Sequence, residues 1–251
     1  MSSHAGGRRA RNTRRAIQPT WKKMMIMKKT VADHPDIPPD CLRNNVQARL
    51  SELGREILRS MEHIRKALDA WSLPAVEAAL KGAPALQVTA RDIEMTCMSK
   101  LPGCEDELAR FRLAASVQYA RRLERVVHQV ATMGIHLGHI VRLNASPDTS
   151  TLLPLYLLAE IELRDALLAR SLGDDNLARA VLERDRELDA RFRGELEAVI
   201  RDLSLGLHET EVGLSLIFVL RAIERIGDHA KELASAALLQ HGSVKADLPP
   251  T

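Results

Sequence analysis

The fold class is decided by the stretch Arg221-Ala222-Ile223-Glu224-Arg225-Ile226-Gly227-Asp228-His229-Ala230-Lys231-Glu232-Leu233-Ala234. It lacks proline, and apolar residues in and around it recur at the 3,4 spacing of a helix with one buried side. These residues are Leu216, Leu220, Ile223, Ala230, Ala234 and Ala237, with Gly227 in the gap. Glu224, Asp228 and Glu232 are each four residues apart and form a carboxylate row beside that side. Like charges repel, so the row predicts a cationic partner, either arginine side chains or a metal ion.

Residues 224–230, Glu-Arg-Ile-Gly-Asp-His-Ala, resemble the signature of the PhoU family of bacterial regulators of phosphate uptake. That family carries Glu, Asp and Asn at i, i+4 and i+8 on the last helix of a three-helix bundle. Glu224 and Asp228 match the motif, whereas Glu232 stands where the family usually has Asn. Because the family is a tandem of two such bundles, the resemblance implies an all-α fold of two tandem antiparallel three-helix bundles.

The composition also favours helices. Only 3% of the 251 residues are aromatic, and no sustained period-2 run of β-branched residues indicates a strand. The three cysteines, Cys41, Cys97 and Cys104, form no Cys-x-x-Cys pair. A disulfide framework is therefore not expected, and the sequence predicts a cytoplasmic protein.

Charge is unevenly distributed along the chain. Residues 1–30 hold nine Lys or Arg and no acidic residue, which leaves 27 basic and 33 acidic residues, a net charge of −6, for the remainder. The acidic body is not expected to bind nucleic acid specifically. Residues 1–43 are predicted to be a disordered basic tail. It is a solvated extension, an organelle transit peptide, or a segment that contacts an anionic membrane surface or nucleic acid.

Apolar periodicity divides the rest into two blocks of three helices, residues 44–143 and 152–241, joined by a turn-rich linker. In the first block, helices are expected from about Asn44 to Trp71, on both sides of an interruption at Lys81-Gly82-Ala83-Pro84, and from about Asp106 to Leu143. In the second block they are expected over about Leu152–Ser171, Asn176–Leu205 and Thr210–Gln240.

The middle helix of the second block places acidic residues on its apolar side. Asp185 and Asp189 occupy two positions in a 3,4-spaced series, Leu182, Asp185, Asp189, Phe192, Leu196, Val199 and Leu203. Charged side chains are rarely buried without a partner. The alternative is that the apolar side drifts at this end, so that Leu188 faces inward instead of Asp189.

The PhoU resemblance extends to these aspartates, because the family's middle helix carries two Asp four apart that face the Glu and Asp of the last helix. Some members bind metal clusters there. The resemblance thus implies a metal site formed by Asp185, Asp189, Glu224 and Asp228. The expected cofactor is a divalent or iron-type ion, Fe, Mn, Mg or Zn, and ligands that are all oxygen favour Mg²⁺, Mn²⁺, Ca²⁺ or iron over a structural zinc.

The first block resembles a degenerate copy of the second. Residues 123–128 correspond to 223–228, with His128 in place of the Asp, and Asp92 is the retained middle-helix carboxylate. Asp92, Glu124 and His128 are therefore a weaker candidate metal site. Glu124, His128 and His136 share a predicted helix face, with His139 nearby, and His229 is placed to orient Asp228.

By resemblance, the chain is expected to control phosphate transport and phosphate-starvation signalling negatively, as a homodimer contacting a phosphate ABC transporter ATPase and a membrane histidine kinase. It is not expected to be an enzyme. One alternative is a helical adaptor without metal, whose carboxylates pair with Arg184, Arg186, Arg221 or Arg225. Another, a di-metal carboxylate oxidase, is disfavoured because no Glu stands three residues before any His.

Overall fold

The computed structural model describes residues 39–246, and its side chains over residues 45–240. The described residues form six helices and no strand: α1 Pro39–Ala70, α2 Leu73–Lys100, α3 Glu107–Arg142, α4 Leu152–Leu172, α5 Asp175–Ser204 and α6 Thr210–Ala246. The all-α prediction is confirmed. No helix in this range has an apolar run of the length a bilayer span requires. The tail over residues 1–38 lies outside the described residues.

Both ends of α1 differ from the sequence-based expectation, and α6 extends to Ala246, beyond the expected end near Gln240. α1 begins at Pro39, so residues 39–43, predicted as tail, are helical. Proline suits a first helical turn because its missing N–H would have no partner there. At the other end α1 stops at Ala70, and Trp71 has φ +47° instead of continuing the helix. The Trp71 indole donates a hydrogen bond of 3.2 Å to the carbonyl of Pro147. This bond connects the end of α1 to the linker between the blocks.

The predicted interruption of the second helix is wrong, because α2 continues through Pro84. Proline removes one helical hydrogen bond, and Gly82 weakens the helix further. Tertiary packing overrides both effects. Buried α2 residues line one side before and after the proline: Val76, Ala79, Ala83, Ala90, Ile93 and Cys97.

The two blocks pack against each other along α1 with α4 and along α3 with α6. The Tyr156 hydroxyl of α4 donates to the Met61 carbonyl of α1 inside this interface. The Arg170 guanidinium of α4 lies over the Tyr119 ring of α3, 3.8 Å from its centroid. The helices from Pro39 onward consequently belong to one compact unit.

Within the second block, α6 presents the buried side predicted from its sequence. Leu216, Leu220, Ile223, Ala230 and Ala234 are all buried. Gly227 allows the closest approach of α5, because a Cβ at this position would lie 2.1 Å from Leu188 Cδ2.

We expect Gly227→Ala to destabilise the protein by about 1–3 kcal/mol, because Leu188 must leave its packed position. Gly194→Ala is the matched control on α5, where an added Cβ meets nothing within 4 Å. The control should be stabilising by about 0.5–1 kcal/mol, since alanine favours helix over glycine. Urea unfolding measures both, and equal effects from the two changes would contradict this packing.

Candidate carboxylate site

The four carboxylates predicted to form the site lie on two packed helices, and their depths differ. α5 carries Asp185 and Asp189, and α6 carries Glu224 and Asp228. Asp185 is only 2% exposed, whereas Glu224 is half-buried and Asp228 lies at the surface. The set therefore runs from the interior of the bundle outward.

The prediction that Asp189 lies on the core side of α5 is wrong. Leu188 is fully buried, and the Asp189 side chain is 38% exposed. The cause is packing between the helices: Leu188 occupies the space beside Gly227 of α6, and the adjacent Asp189 is turned toward the surface. Asp189 is left at the edge of the site, 3.9 Å from the Arg193 guanidinium.

A fifth carboxylate, not singled out from the sequence, lies at the bottom of the site. Glu162 of α4 is fully buried, and neither of its carboxylate oxygens has a hydrogen-bond partner. Oε2 lies 3.2 Å from the position that a Cβ on Gly227 would occupy. The sequence carried a signal, because Glu162 interrupts a 3,4-spaced series of Leu155, Ala159, Ala166 and Ala169.

A lysine also missed by the sequence analysis neutralises part of this charge. Lys231 of α6 donates through Nζ to Asp185 Oδ2, while Asp185 Oδ1 has no partner. The Lys231 side chain is 46% exposed, so it reaches inward from the surface. The interaction crosses from α6 to α5, which helical spacing alone does not indicate.

Burial and mutual repulsion change the proton affinities of these groups. Burial, and next the Asp185 charge, raise the pKa of Glu162 to about 8. Burial also raises the pKa of Glu224 and that of Asp228, with smaller contributions from neighbouring carboxylates. Raised pKa values on three acidic side chains show that the cations around them compensate their burial incompletely.

Two of the arginines proposed as partners, Arg184 and Arg221, form their ion pairs with residues other than the buried Glu162. Arg221 lies 3.6 Å from Glu224. Arg184 instead pairs with Asp165 at 2.7 Å. Neither Arg184 nor Arg221 supplies a hydrogen bond to Glu162.

The first block does not bring its three candidate residues together. Asp92 pairs with Arg49 of α1, and Glu124 accepts a hydrogen bond from Arg91 Nε at 2.6 Å. His128 is exposed on α3. These two carboxylates are thus paired with arginines.

Two histidines of the first block, His136 and His139, contact α6. His136 stacks on Phe218 of α6, with ring centroids 4.5 Å apart, and His139 Nδ1 lies 3.1 Å from Ser215 Oγ. Both therefore contact α6 between the blocks and do not extend a site at Glu124.

His229 Nδ1 lies 3.6 Å from Glu232, and the expected role of His229 in orienting Asp228 stays a prediction. Glu232 in turn accepts a hydrogen bond from Arg122 of α3 at 3.0 Å. Glu232 therefore contacts α3 of the first block and does not face the carboxylate site with Glu224 and Asp228.

Within residues 45–240, no three His, Cys, Asp or Glu side chains are arranged so that they could hold one metal ion. The second block nevertheless combines Glu162 and Asp185, two buried carboxylates with unpartnered oxygens, with three acidic side chains nearer the surface.

Comparison with known proteins identifies this block. The PhoU domain family model matches residues 155–237, which include most of α4, all of α5 and most of α6. This part of the chain is a PhoU domain. The resemblance inferred from residues 224–230 is thereby confirmed.

Curated relatives carry the same family name. A phosphate-specific transport system accessory protein PhoU homolog from Xylella fastidiosa (strain 9a5c) is 29% identical over 131 residues, covering 52% of this chain and 53% of the relative. The corresponding Pseudomonas putida homolog is 32% identical over 75 residues, covering 30% of this chain and 29% of the relative. The chain spans about half the length of the Xylella relatives that it matches.

Solved PhoU structures share the fold. PhoU from Pseudomonas aeruginosa matches with a TM-score of 0.77 and 17% identity, covering 81% of this chain and 99% of that structure. The phosphate transport system regulatory protein PhoU from Streptococcus pneumoniae matches with a TM-score of 0.73 and 16% identity, covering 85% and 100%. The fold prediction of two tandem three-helix bundles is confirmed.

We expect Glu162→Gln to flatten the dependence of stability on pH. Because the native pKa of Glu162 is raised to about 8, the native state binds more protons than the unfolded state between roughly pH 4.5 and 8. Stability contributed by the neutral acid is therefore present below this window and is lost as pH rises through it. The neutral glutamine removes this loss, which amounts to about 5 kcal/mol at most.

Urea unfolding at pH 5, 6, 7 and 8 measures that slope. Asp185, Asp189, Arg184 and Lys231 act on Glu162 in both proteins, so the difference between variant and parent isolates Glu162. The control is Glu187→Gln, which changes an exposed α5 carboxylate paired with Arg191. A slope unchanged by Glu162→Gln, or changed as much by the control, would contradict the assignment.

Proposed function

We propose that this chain regulates phosphate uptake, restraining phosphate transport and phosphate-starvation signalling when phosphate is plentiful. The observation that carries the proposal is the PhoU domain itself, with buried and unpartnered carboxylates between its three helices. Its relatives are named as accessory proteins of a phosphate-specific transport system.

The chain acts by binding, not by catalysis. Its proposed partners are the ATPase of a phosphate ABC transporter and a membrane histidine kinase, contacted in the cytoplasm. Burial raises the pKa of the Cys97 thiol to about 11, so this thiol stays protonated and is a poor nucleophile. That property fits a protein whose activity lies in its contacts.

A metal ion at the carboxylate site is part of the proposal. The unpartnered oxygens of Glu162 and Asp185 are the donors that Mg²⁺, Mn²⁺ or iron prefer, with Asp189, Glu224 and Asp228 nearer the surface. A bound ion would supply positive charge that relieves both burial and repulsion of these carboxylates. The first block, whose Asp92 and Glu124 pair with arginines, would bind an ion more weakly.

The ion pairs favour one second candidate, a helical adaptor that binds no metal. Lys231 pairs with Asp185, as a purely structural interaction would require. Elemental analysis of protein purified without chelator separates the two candidates, because only the regulator with a metal site should retain a stoichiometric ion.

We also propose that the chain is a homodimer. α4 and α6 expose apolar side chains that a second copy would cover, among them Ile161, Leu168, Leu214 and Phe218. Light scattering at micromolar concentration should then give about twice the chain mass of 27.9 kDa. A mass of one chain across that range would contradict the dimer.

Deletion of the gene in its own host tests the regulatory role. We expect a reporter of phosphate starvation to switch on in phosphate-rich medium, and phosphate uptake to rise. A plasmid copy of the chain should restore repression. Normal repression in the deletion strain would contradict the proposed function.

The same strain tests the carboxylate site. Asp185→Asn combined with Asp228→Asn should fail to restore repression at wild-type protein levels, because it removes two of the site's charges. The matched control, Glu187→Gln, changes an exposed α5 carboxylate that pairs with Arg191 and should rescue fully. Full rescue by the double variant would show that regulation does not depend on the site.

A further inference from the structure

Lys231 is the cation that contacts the buried Asp185 of the carboxylate site. It stands one helical turn after Gly227 on α6, and its Nζ contacts the carboxylate of Asp185 on α5. The two side chains differ in exposure, 46% for Lys231 and 2% for Asp185. The lysine is thus anchored at its buried end and open to solvent along its length.

Three aspartates act on this ammonium together. The hydrogen bond to Asp185 raises the pKa of Lys231, and the charges of Asp189 and Asp228 act in the same direction. Neighbouring guanidiniums make other ion pairs: Arg184 pairs with Asp165, and Arg193 lies 3.9 Å from Asp189. Lys231 therefore occupies the position at which an external cation would meet Asp185.

We propose that Lys231 is a built-in competitor for the metal ion, holding Asp185 in the metal-free chain and leaving the site when a divalent cation binds. This inference rests on the proposed metal site and adds the residue that sets its affinity.

The exchange is physically feasible because Lys231 can move without disturbing the core. Its ammonium sits on a flexible four-carbon stem and is strongly hydrated once released. A divalent ion brings two charges and accepts several oxygen ligands, whereas one ammonium offers three donors from a single position. Glu162 and Asp185 together present three oxygens that Lys231 leaves without a partner.

This competition predicts different divalent-cation affinities for the parent chain and for a variant with a neutral side chain at position 231. With the lysine present, the ion must break the Lys231–Asp185 pair before it binds, and the observed affinity is reduced accordingly. With a neutral side chain of similar length, that step disappears. The affinity should rise although no metal ligand has been added.

The test is calorimetric titration of Mn²⁺ into the full chain, freed of metal beforehand, with Lys231→Met and a matched control. The control is Lys66→Met, which neutralises a surface lysine paired with Glu62 on α1 at 3.1 Å. We expect Lys231→Met to bind Mn²⁺ about tenfold more tightly than the parent, or better. Lys66→Met should bind like the parent.

The outcomes separate the inference from the function on which it rests. Equal Mn²⁺ affinity in the parent and Lys231→Met would overturn the competitor role while leaving the metal site in place. No binding by either protein would overturn the metal site and the competitor together.

A second measurement needs no variant and covers the case in which Lys231→Met fails to fold. Brief acetylation of the parent chain, read by mass spectrometry, should modify Lys231 faster when Mn²⁺ is present, because the ammonium has left Asp185. Lys66 should react at one rate in both conditions. A Lys231 rate that Mn²⁺ leaves unchanged or lowers would overturn the proposal.

Discussion

The second block depends on one electrostatic constraint: a buried carboxylate must be neutralised by a proton or a cation. Glu162 and Asp185 lie in the interior where α4, α5 and α6 meet, and water does not solvate them. Two features neutralise these carboxylates. The raised pKa of Glu162 favours its protonated form, and Lys231 supplies an ammonium to Asp185. Protonation and ion pairing are both reversible, which distinguishes this interior from an ordinary apolar core.

The two blocks meet the same constraint differently. In the first block, Asp92 and Glu124 lie further out and pair with the guanidiniums of Arg49 and Arg91. In the second, the buried oxygens of Glu162 remain without partners. Stability alone does not explain unpartnered buried oxygens, because apolar residues of similar size would remove their cost. This difference is the physical reason for placing the function in the PhoU domain of the second block.

Apolar periodicity predicted the buried side of α6 and the burial of Asp185 correctly, because burial of a helix face is a local property of sequence, but it did not predict that α2 continues through Pro84. Apolar periodicity did not single out Glu162, although this residue occupies a position in the 3,4-spaced apolar series of α4. The many leucines around it made the helix apolar on several sides, so the buried side was not evident. Lys231 was unpredictable in principle, since its pairing depends on how α6 lies against α5. The position of Asp189 was predicted wrongly for a related reason. Which of two adjacent residues faces inward is fixed by the packing of Leu188 at Gly227.

The central claim is that Glu162 and Asp185 share one cation position, held by Lys231 until an ion replaces it. Anomalous diffraction from crystals grown with Mn²⁺, compared with crystals grown with chelator, tests this most directly. The account predicts a manganese peak bound by Glu162 and Asp185, with Lys231 turned to solvent, and Lys231 on Asp185 when chelator is present. A structure in which Mn²⁺ gives no peak there and Lys231 stays on Asp185 would contradict it.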